Sequence, residues 1–294
     1  RYLDLRRPDV QSTMILRHKT SQEVRKHLSD NGFLEIETPY LMKSTPEGAR
    51  DYLVPSRVNR GSFYALPQSP QTYKQLLMVA GFEKYFQIVR CFRDEDLRGD
   101  RQPEFTQIDI EMSFVEENDV MSMAENLTSH VFKSVIGREI PSPIPRMTYQ
   151  EAMDRYGVDR PDTRFGFEIV DLAQAAEASE FQVFKNVIGD GGQVRGINAK
   201  GCGSYSRKQI DDLTAFVANY RAKGLAWIKV TDDGLESSIV KFFPEGAQTL
   251  LKSSLSAEPG DLLLFVADKP AVVAGALGNL RLELAREQGL LDPN

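Results

Sequence analysis

Arg93-Asp94-Glu95 and Arg101-Gln102-Pro103-Glu104-Phe105 gather two guanidinium groups, several carboxylates and an aromatic ring into one short stretch. Guanidinium suits phosphate because it stays charged and presents a planar fork of donors, and a ring such as Phe105 can stack on a base. The chemistry this predicts is nucleotide binding. Just downstream, Gln107, Asp109 and Glu111 alternate with Ile108, Ile110 and Met112, the period of a strand with one buried face and one that is polar or lines a cleft. The β-rich segment 85–92 precedes it, and the turn-forming stretch 94–103 joins the two, so a hairpin is expected with the arginines near its turn. The plainer role for Arg93 is a surface ion pair with Asp94 or Glu95, and for Phe105 it is ordinary packing.

Two further segments hold charge in a setting able to position it. Thr45-Pro46-Glu47-Gly48 favours a turn that can open and shut over a ligand. Ser69 and Pro70 read as the N-cap and first turn of a helix that projects Gln71 and Lys74, three residues apart, to one face. Lys74 could equally be a solvated helix lysine, the common fate of that residue. The glycine-rich run 189–196 precedes a strand instead of joining strand to helix, so it reads as a turn and not as a phosphate loop. His18, His27 and His130 fall in helical patterns without metal spacing and read as structural.

The elements that must position these groups form two parts. In the first, domain 1–160, helical periodicity runs over 11–31 and 119–135, and Pro141-Ser142-Pro143-Ile144-Pro145 is too proline-rich for a helix interior or central strand. A short helix, 148–156, leads through Arg160-Pro161-Asp162-Thr163 into domain 161–294. There strands are expected at 181–184, 193–199, 225–231 and 261–267, with helices at 207–223, 246–255 and 269–287, a mixed α/β pattern.

At 294 residues a length prior favours about two domains. The net charge of −6 argues against binding nucleic acid mainly by indiscriminate phosphate attraction, although a local patch such as Arg1, Arg6 and Arg7 stays open. Arg17, Lys19, Arg25 and Lys26 in the following helix fit a solvated face. No apolar run approaches the ~20 residues of a membrane span and no signal core follows the N-terminus, so a cytoplasmic setting is expected. Cys91 and Cys202 lack a CxxC arrangement, which suggests reduced thiols and no zinc site.

Phe92-Arg93-Asp94-Glu95 followed by Arg101-Gln102-Pro103-Glu104-Phe105 resembles motif 2 of class II aminoacyl-tRNA synthetases. Gly32-Phe33-Leu34-Glu35-Ile36-Glu37-Thr38-Pro39 resembles motif 1. Between them, the segments 44–52 and 68–76 narrow the resemblance to aspartyl-tRNA synthetases, and the stretch after about Arg164 resembles the GAD insertion of bacterial-type members. The resemblance covers essentially the whole chain. It implies an α+β fold, an antiparallel class II catalytic core with an inserted mixed α/β GAD domain, and an aspartate-tRNA ligase that forms aspartyl-adenylate from ATP.

The resemblance also implies roles. Arg93 would contact the α-phosphate and the reacting carboxylate and so act as the catalytic residue. Asp94, Glu95, Arg101, Gln102 and Phe105 would complete the ATP site, Glu95 at the adenine amino group, Arg101 at the terminal phosphate and Phe105 on the adenine face. Aspartate needs an anion for its ammonium and a cation for its β-carboxylate; Glu47, Ser69, Gln71, Lys74 and Arg93 are the candidates, with Asp109 a further one for the ammonium. An ammonium ~4 Å from a carboxylate gains about 4 kcal/mol at an effective dielectric of 20, less desolvation, which favours aspartate over asparagine at Lys74. Mg2+ is implied by ATP and not by any ligand cluster. The acceptor would be tRNA for aspartate, with tRNA for asparagine as a second candidate, and Pro39 in motif 1 implies a homodimer.

The chain departs from the family pattern in lacking an arginine-bearing motif 3, the histidine loop after the insertion and an N-terminal anticodon-binding barrel. This makes the core incomplete. A fragment of a longer enzyme, weak or inactive by itself, is expected; a truncated synthetase-like binding protein and an asparagine-directed relative are the alternatives.

Overall fold

The computed structural model describes residues 2–45, 47–97, 99 and 101–291. Arg1 of the basic cluster, Pro46 of the Glu47 loop, Arg98 in the motif 2 stretch and residues 292–294 lie outside them. The chain divides into two compact units, 1–145 and 146–294. The division falls fifteen residues before the expected boundary near 160, because the short helix at 149–156 packs into the second unit.

Unit 1 runs α1 (Pro8–Asp30), β1 (Leu34–Glu35), β2 (Leu53–Pro55), β3 (Phe63–Ala65), α2 (Gln71–Val79), β4 (Lys84–Phe92), β5 (Glu104–Met112) and α3 (Glu117–Ile136). The expected hairpin is β4 and β5, antiparallel from Lys84–Met112 to Phe92–Glu104, with β1 parallel to β4 on its other side. Alternation decides the two faces. Phe86, Ile88, Ile110 and Met112 turn toward α1 and α3, where they meet Val24, Leu28, Phe33 and Leu127. Tyr85, Gln87, Cys91, Gln107, Asp109 and Glu111 point the other way. The helix α3 begins with a reciprocal cap between Glu116 and Asp119 and ends at Gly137 in the left-handed region, φ 69°.

Unit 2 runs α4 (Tyr149–Tyr156), β6 (Ile169–Asp171), α5 (Ala173–Glu177), α6 (Gln182–Gly189), β7 (Gln193–Ala199), α7 (Arg207–Ala218), β8 (Ala226–Thr231), β9 (Gly234–Glu236), α8 (Glu245–Ser254), β10 (Leu262–Asp268) and α9 (Pro270–Glu287). Its five-stranded sheet has the order β6-β7-β10-β8-β9 and is antiparallel at every junction. Central β10 is apolar on both faces: Leu262, Leu264 and Val266 pack with α7 and α9, while Leu263 and Phe265 pack with α6 and α8. The segment 181–184, expected as a strand, instead opens α6. Phe181 and Phe184 are spaced i, i+3, which fits a helix face as well as β-favouring composition fits a strand, and Phe184 is buried under β10. The helix expected over 207–223 stops at Ala218, and the chain turns through Arg221 at φ 70°.

Candidate functional site

The polar face of the β4–β5 hairpin carries the site. Asp109 and Glu111 stand two residues apart on β5, hence on one face, and α2 lays Lys74 across them. The Lys74 Nζ donates to Asp109 Oδ1 at 2.9 Å and lies 3.1 Å from Glu111 Oε2. Lys74 is 9% exposed, so it is a buried ion-pair lysine and not a solvated one. Burial alone would lower its pKa, but hydrogen bonding and charge from Asp109, then Glu111, outweigh it and hold the ammonium above its ordinary value. Asp109 is raised by burial, against Lys74, with Glu111 and Glu47 adding to the rise. Two carboxylates on one ammonium leave surplus negative charge, and Asp109 Oδ2 is buried with no partner.

Glu47 arrives from the loop before β2. Thr45 Oγ1 donates to its Oε1 at 2.9 Å and Ser69 Oγ to its Oε2 at 2.8 Å. Gly48 follows at φ 92°, which an L side chain would resist. Ser69 is therefore bound to Glu47 and does not cap α2, whose N-cap is Pro70 with no side-chain cap bond. Gln68, which sequence reasoning passed over, ties the loop down: it bridges Ala49 N and Ala49 O and donates to Asp51 Oδ1 at 2.5 Å. Nothing in its local spacing signals this, since its partners are nearly twenty residues upstream. Gln71 opens α2 three residues before Lys74.

Arg93 follows the end of β4, its backbone N–H donating to Pro103 O at 2.9 Å and so closing the hairpin turn. Its guanidinium lies 5.1 Å from the centroid of Phe105 and forms no ion pair with any described residue. The surface pair weighed for it is absent: Asp94 bridges to Arg50, and Glu95 accepts from Arg101 Nη1 at 3.0 Å. Arg93, Glu95, Arg101, Gln102 and Phe105 together line a cavity of about 300 Å³. Asp94 does not line it.

Buried Cys91 pairs with Phe105 across the hairpin, on the face that carries Asp109. Its Sγ donates to Gln107 Oε1 at 3.1 Å, and burial, reinforced by Asp109 and opposed by Arg93, pushes the thiol up to about 11, with Glu47 and Lys74 also felt. Tyr85 Oη and Thr38 Oγ1 both donate to Gln87 Oε1, at 3.0 and 2.9 Å, tying the segment before Pro39 to the hairpin. Pro39 itself is exposed. In the helical basic run, Arg25 binds Glu35 at 2.9 Å and Arg17 donates to Thr106 at 2.8 Å. Among the described residues no group of three metal-ligating side chains is placed to hold an ion, and no helix is long and apolar enough to cross a membrane.

A cation and an anion side by side on a buried face, beside an unpaired arginine at a cavity, can hold a zwitterionic carboxylic acid against a phosphate. The family of class II tRNA synthetases (D, K and N) matches residues 1–273, and the chain belongs to it, with its α+β fold. It is 62% identical over 294 residues to the "Aspartate--tRNA(Asp/Asn) ligase" of Symbiobacterium thermophilum, covering 100% of this chain and 50% of that protein. It is 60% identical to the protein of the same name from Desulfatibacillum aliphaticivorans (100% and 49%) and 58% identical to the "Aspartate--tRNA ligase" of Staphylococcus haemolyticus (100% and 50%). The chain spans about half the length of the curated relatives it matches.

Proposed function

We propose that this chain forms half of an aspartate–tRNA ligase that condenses L-aspartate with ATP to aspartyl-adenylate and passes the aspartyl group to tRNA for aspartate. In the relatives with the dual name, tRNA for asparagine is a second acceptor, and the same acceptor belongs to this reading. The observation that carries it is the Lys74–Asp109–Glu111 cluster, with Lys74 and Asp109 buried, on the hairpin whose first strand ends just before Arg93. Aspartate's β-carboxylate would take Lys74, its ammonium would take Asp109 or Glu47, and its reacting carboxylate would face Arg93. The exchange replaces one set of ion pairs by another in the same low-dielectric site, so the cost of desolvating the charges is already met by the fold.

Arg93 would stabilise charge gathering on the α-phosphate, while Glu95, Arg101, Gln102 and Phe105 hold the remainder of ATP at the hairpin. Taking the Phe105 face for adenine requires the Arg93 guanidinium, 5.1 Å from it, to swing toward phosphate. Magnesium enters this reading with ATP, held by phosphate oxygens and water, since the described residues offer no cage for it. The insertion-like unit 2 as a GAD domain, a cytoplasmic location and a homodimer through the segment at Pro39 complete the proposal. Exposed Met14, Ile15 and Leu16 on α1 give such a dimer an apolar face to cover.

The test is aspartate-dependent exchange of pyrophosphate into ATP by the full-length protein that contains this chain. Lys74→Met should lower the rate at least about a hundredfold, and exchange that persists in that variant would remove the basis of the reading.

A further inference from the structure

Unit 2 holds a cavity of about 570 Å³ that the proposed ligase reaction does not use. It lies where two strands part. The strands β8 and β10 pair from Leu262–Lys229 to Phe265–Ala226, after which β10 continues to Asp268 while Lys223, Gly224 and Leu225 line the opening. Its floor is aromatic: Phe184 and Phe265 are buried edge to face at 6.3 Å. Two half-buried rings, Phe181 and Trp227, face the same space. Val183 at this cavity is 54% exposed, an uncovered apolar side chain at its rim.

The polar lining is cationic. The Arg207 guanidinium sits 5.7 Å from the Trp227 ring and shares its charge with Asp211 at 3.0 Å. Lys223 has no hydrogen-bond or ion-pair partner among the described residues, and neither does the Asn186 side chain. Asp190 is the one carboxylate among the described residues lining the cavity, and with Arg207 paired to Asp211 the cation left unpaired there is Lys223. Aromatic rings beside basic groups, with a free amide donor and acceptor, match a base, its phosphate and its polar edge. The volume suits a mononucleotide, since ligand sites run from about 300 to 1,000 Å³.

We propose that this cavity is a second nucleotide site, taking a nucleobase against Trp227 and Phe181 and the attached phosphate at Lys223 and Arg207. A free mononucleotide and an unpaired nucleotide of an RNA strand offer this same chemistry. Ring stacking is tolerant of base identity, so the site selects nucleotides as a class.

Trp227 is the one tryptophan in the chain, so its fluorescence reports on this cavity and not on the Arg93 site. Adenosine monophosphate and a penta-adenylate RNA are titrated into the intact chain with inorganic phosphate as control. Saturable quenching by nucleotide but not by phosphate is expected. Lys223→Glu, on an exposed side chain and so without risk to folding, should weaken it about tenfold, and Arg93→Ala should leave it in place. Equal quenching by both probes identifies the free nucleotide as ligand, whereas quenching by the RNA alone, falling steeply with salt, identifies a strand. No quenching by either probe, or quenching indifferent to Lys223→Glu, would overturn the proposal. The readout does not depend on ligase activity, so the two readings fail separately.

Discussion

Lys74 holds two carboxylates apart, and its removal exposes what it compensates. Lys74→Met leaves the buried Asp109 without a cation beside the partly exposed Glu111, which should destabilise unit 1 by about 3 kcal/mol in urea unfolding, beyond any loss of activity. Asp109 gives a pH signature. Its pKa is raised in the fold, so its favourable contribution is complete below its ordinary value of 3.8 and is lost as pH rises through the raised value. Asp109→Asn should therefore gain stability relative to wild type as pH climbs from about 4 toward neutrality, with Lys74 adding no slope until far higher pH. A constant difference at all pH values would contradict the assignment. Cys91, pushed up to about 11, is a thiol at neutral pH, so iodoacetamide should label it only as fast as the protein unfolds. The carboxylates on β5 were legible as residues because strand alternation assigns each a face, but that Lys74 would pair with both was not, since the pairing depends on where α2 crosses the sheet. The ring contact of Arg93 with Phe105 escaped for the same reason, as Arg93 was weighed against phosphate or a neighbouring carboxylate and Phe105 against a base or the core, never against each other.

Local signals located most elements. The hairpin followed from period-two alternation and α1 and α3 from helical periodicity; α4 falls within the expected 148–156, and the structure shows Thr148 capping it by accepting from Glu151 N at 3.1 Å. What failed was short or long-range. The four residues at 181–184 satisfy two periodicities at once, and only burial against Phe265 chooses between them. The domain boundary moved because α4 packs on α9, more than a hundred residues later. That crossing is tight: a Cβ on Gly278 would meet Tyr156 O at 2.9 Å and Gly157 O at 3.0 Å, both backbone atoms with little room to move. Gly278→Ala should cost about 1–3 kcal/mol and lower the melting temperature of unit 2. Leu28→Ala, emptying a fully buried site between α1 and the hairpin, should cost about 2–5 kcal/mol in unit 1.

At the scale of the molecule, unit 2 has two hydrophobic clusters on either side of one sheet, all of its own residues. Residues 146–294 expressed alone should fold cooperatively and retain the Trp227 environment, read by circular dichroism and fluorescence melting together. Unit 1 has a different balance, with many large apolar side chains exposed along α1, β2, β3 and β5. The measurement that tests the central claim most directly is pyrophosphate exchange by the full-length protein with aspartate or asparagine as the amino acid, for wild type, Lys74→Met and Arg93→Ala. The account predicts exchange with aspartate alone, reduced about a hundredfold or more by either substitution. Equal exchange with asparagine, or wild-type rates in both variants, would contradict it.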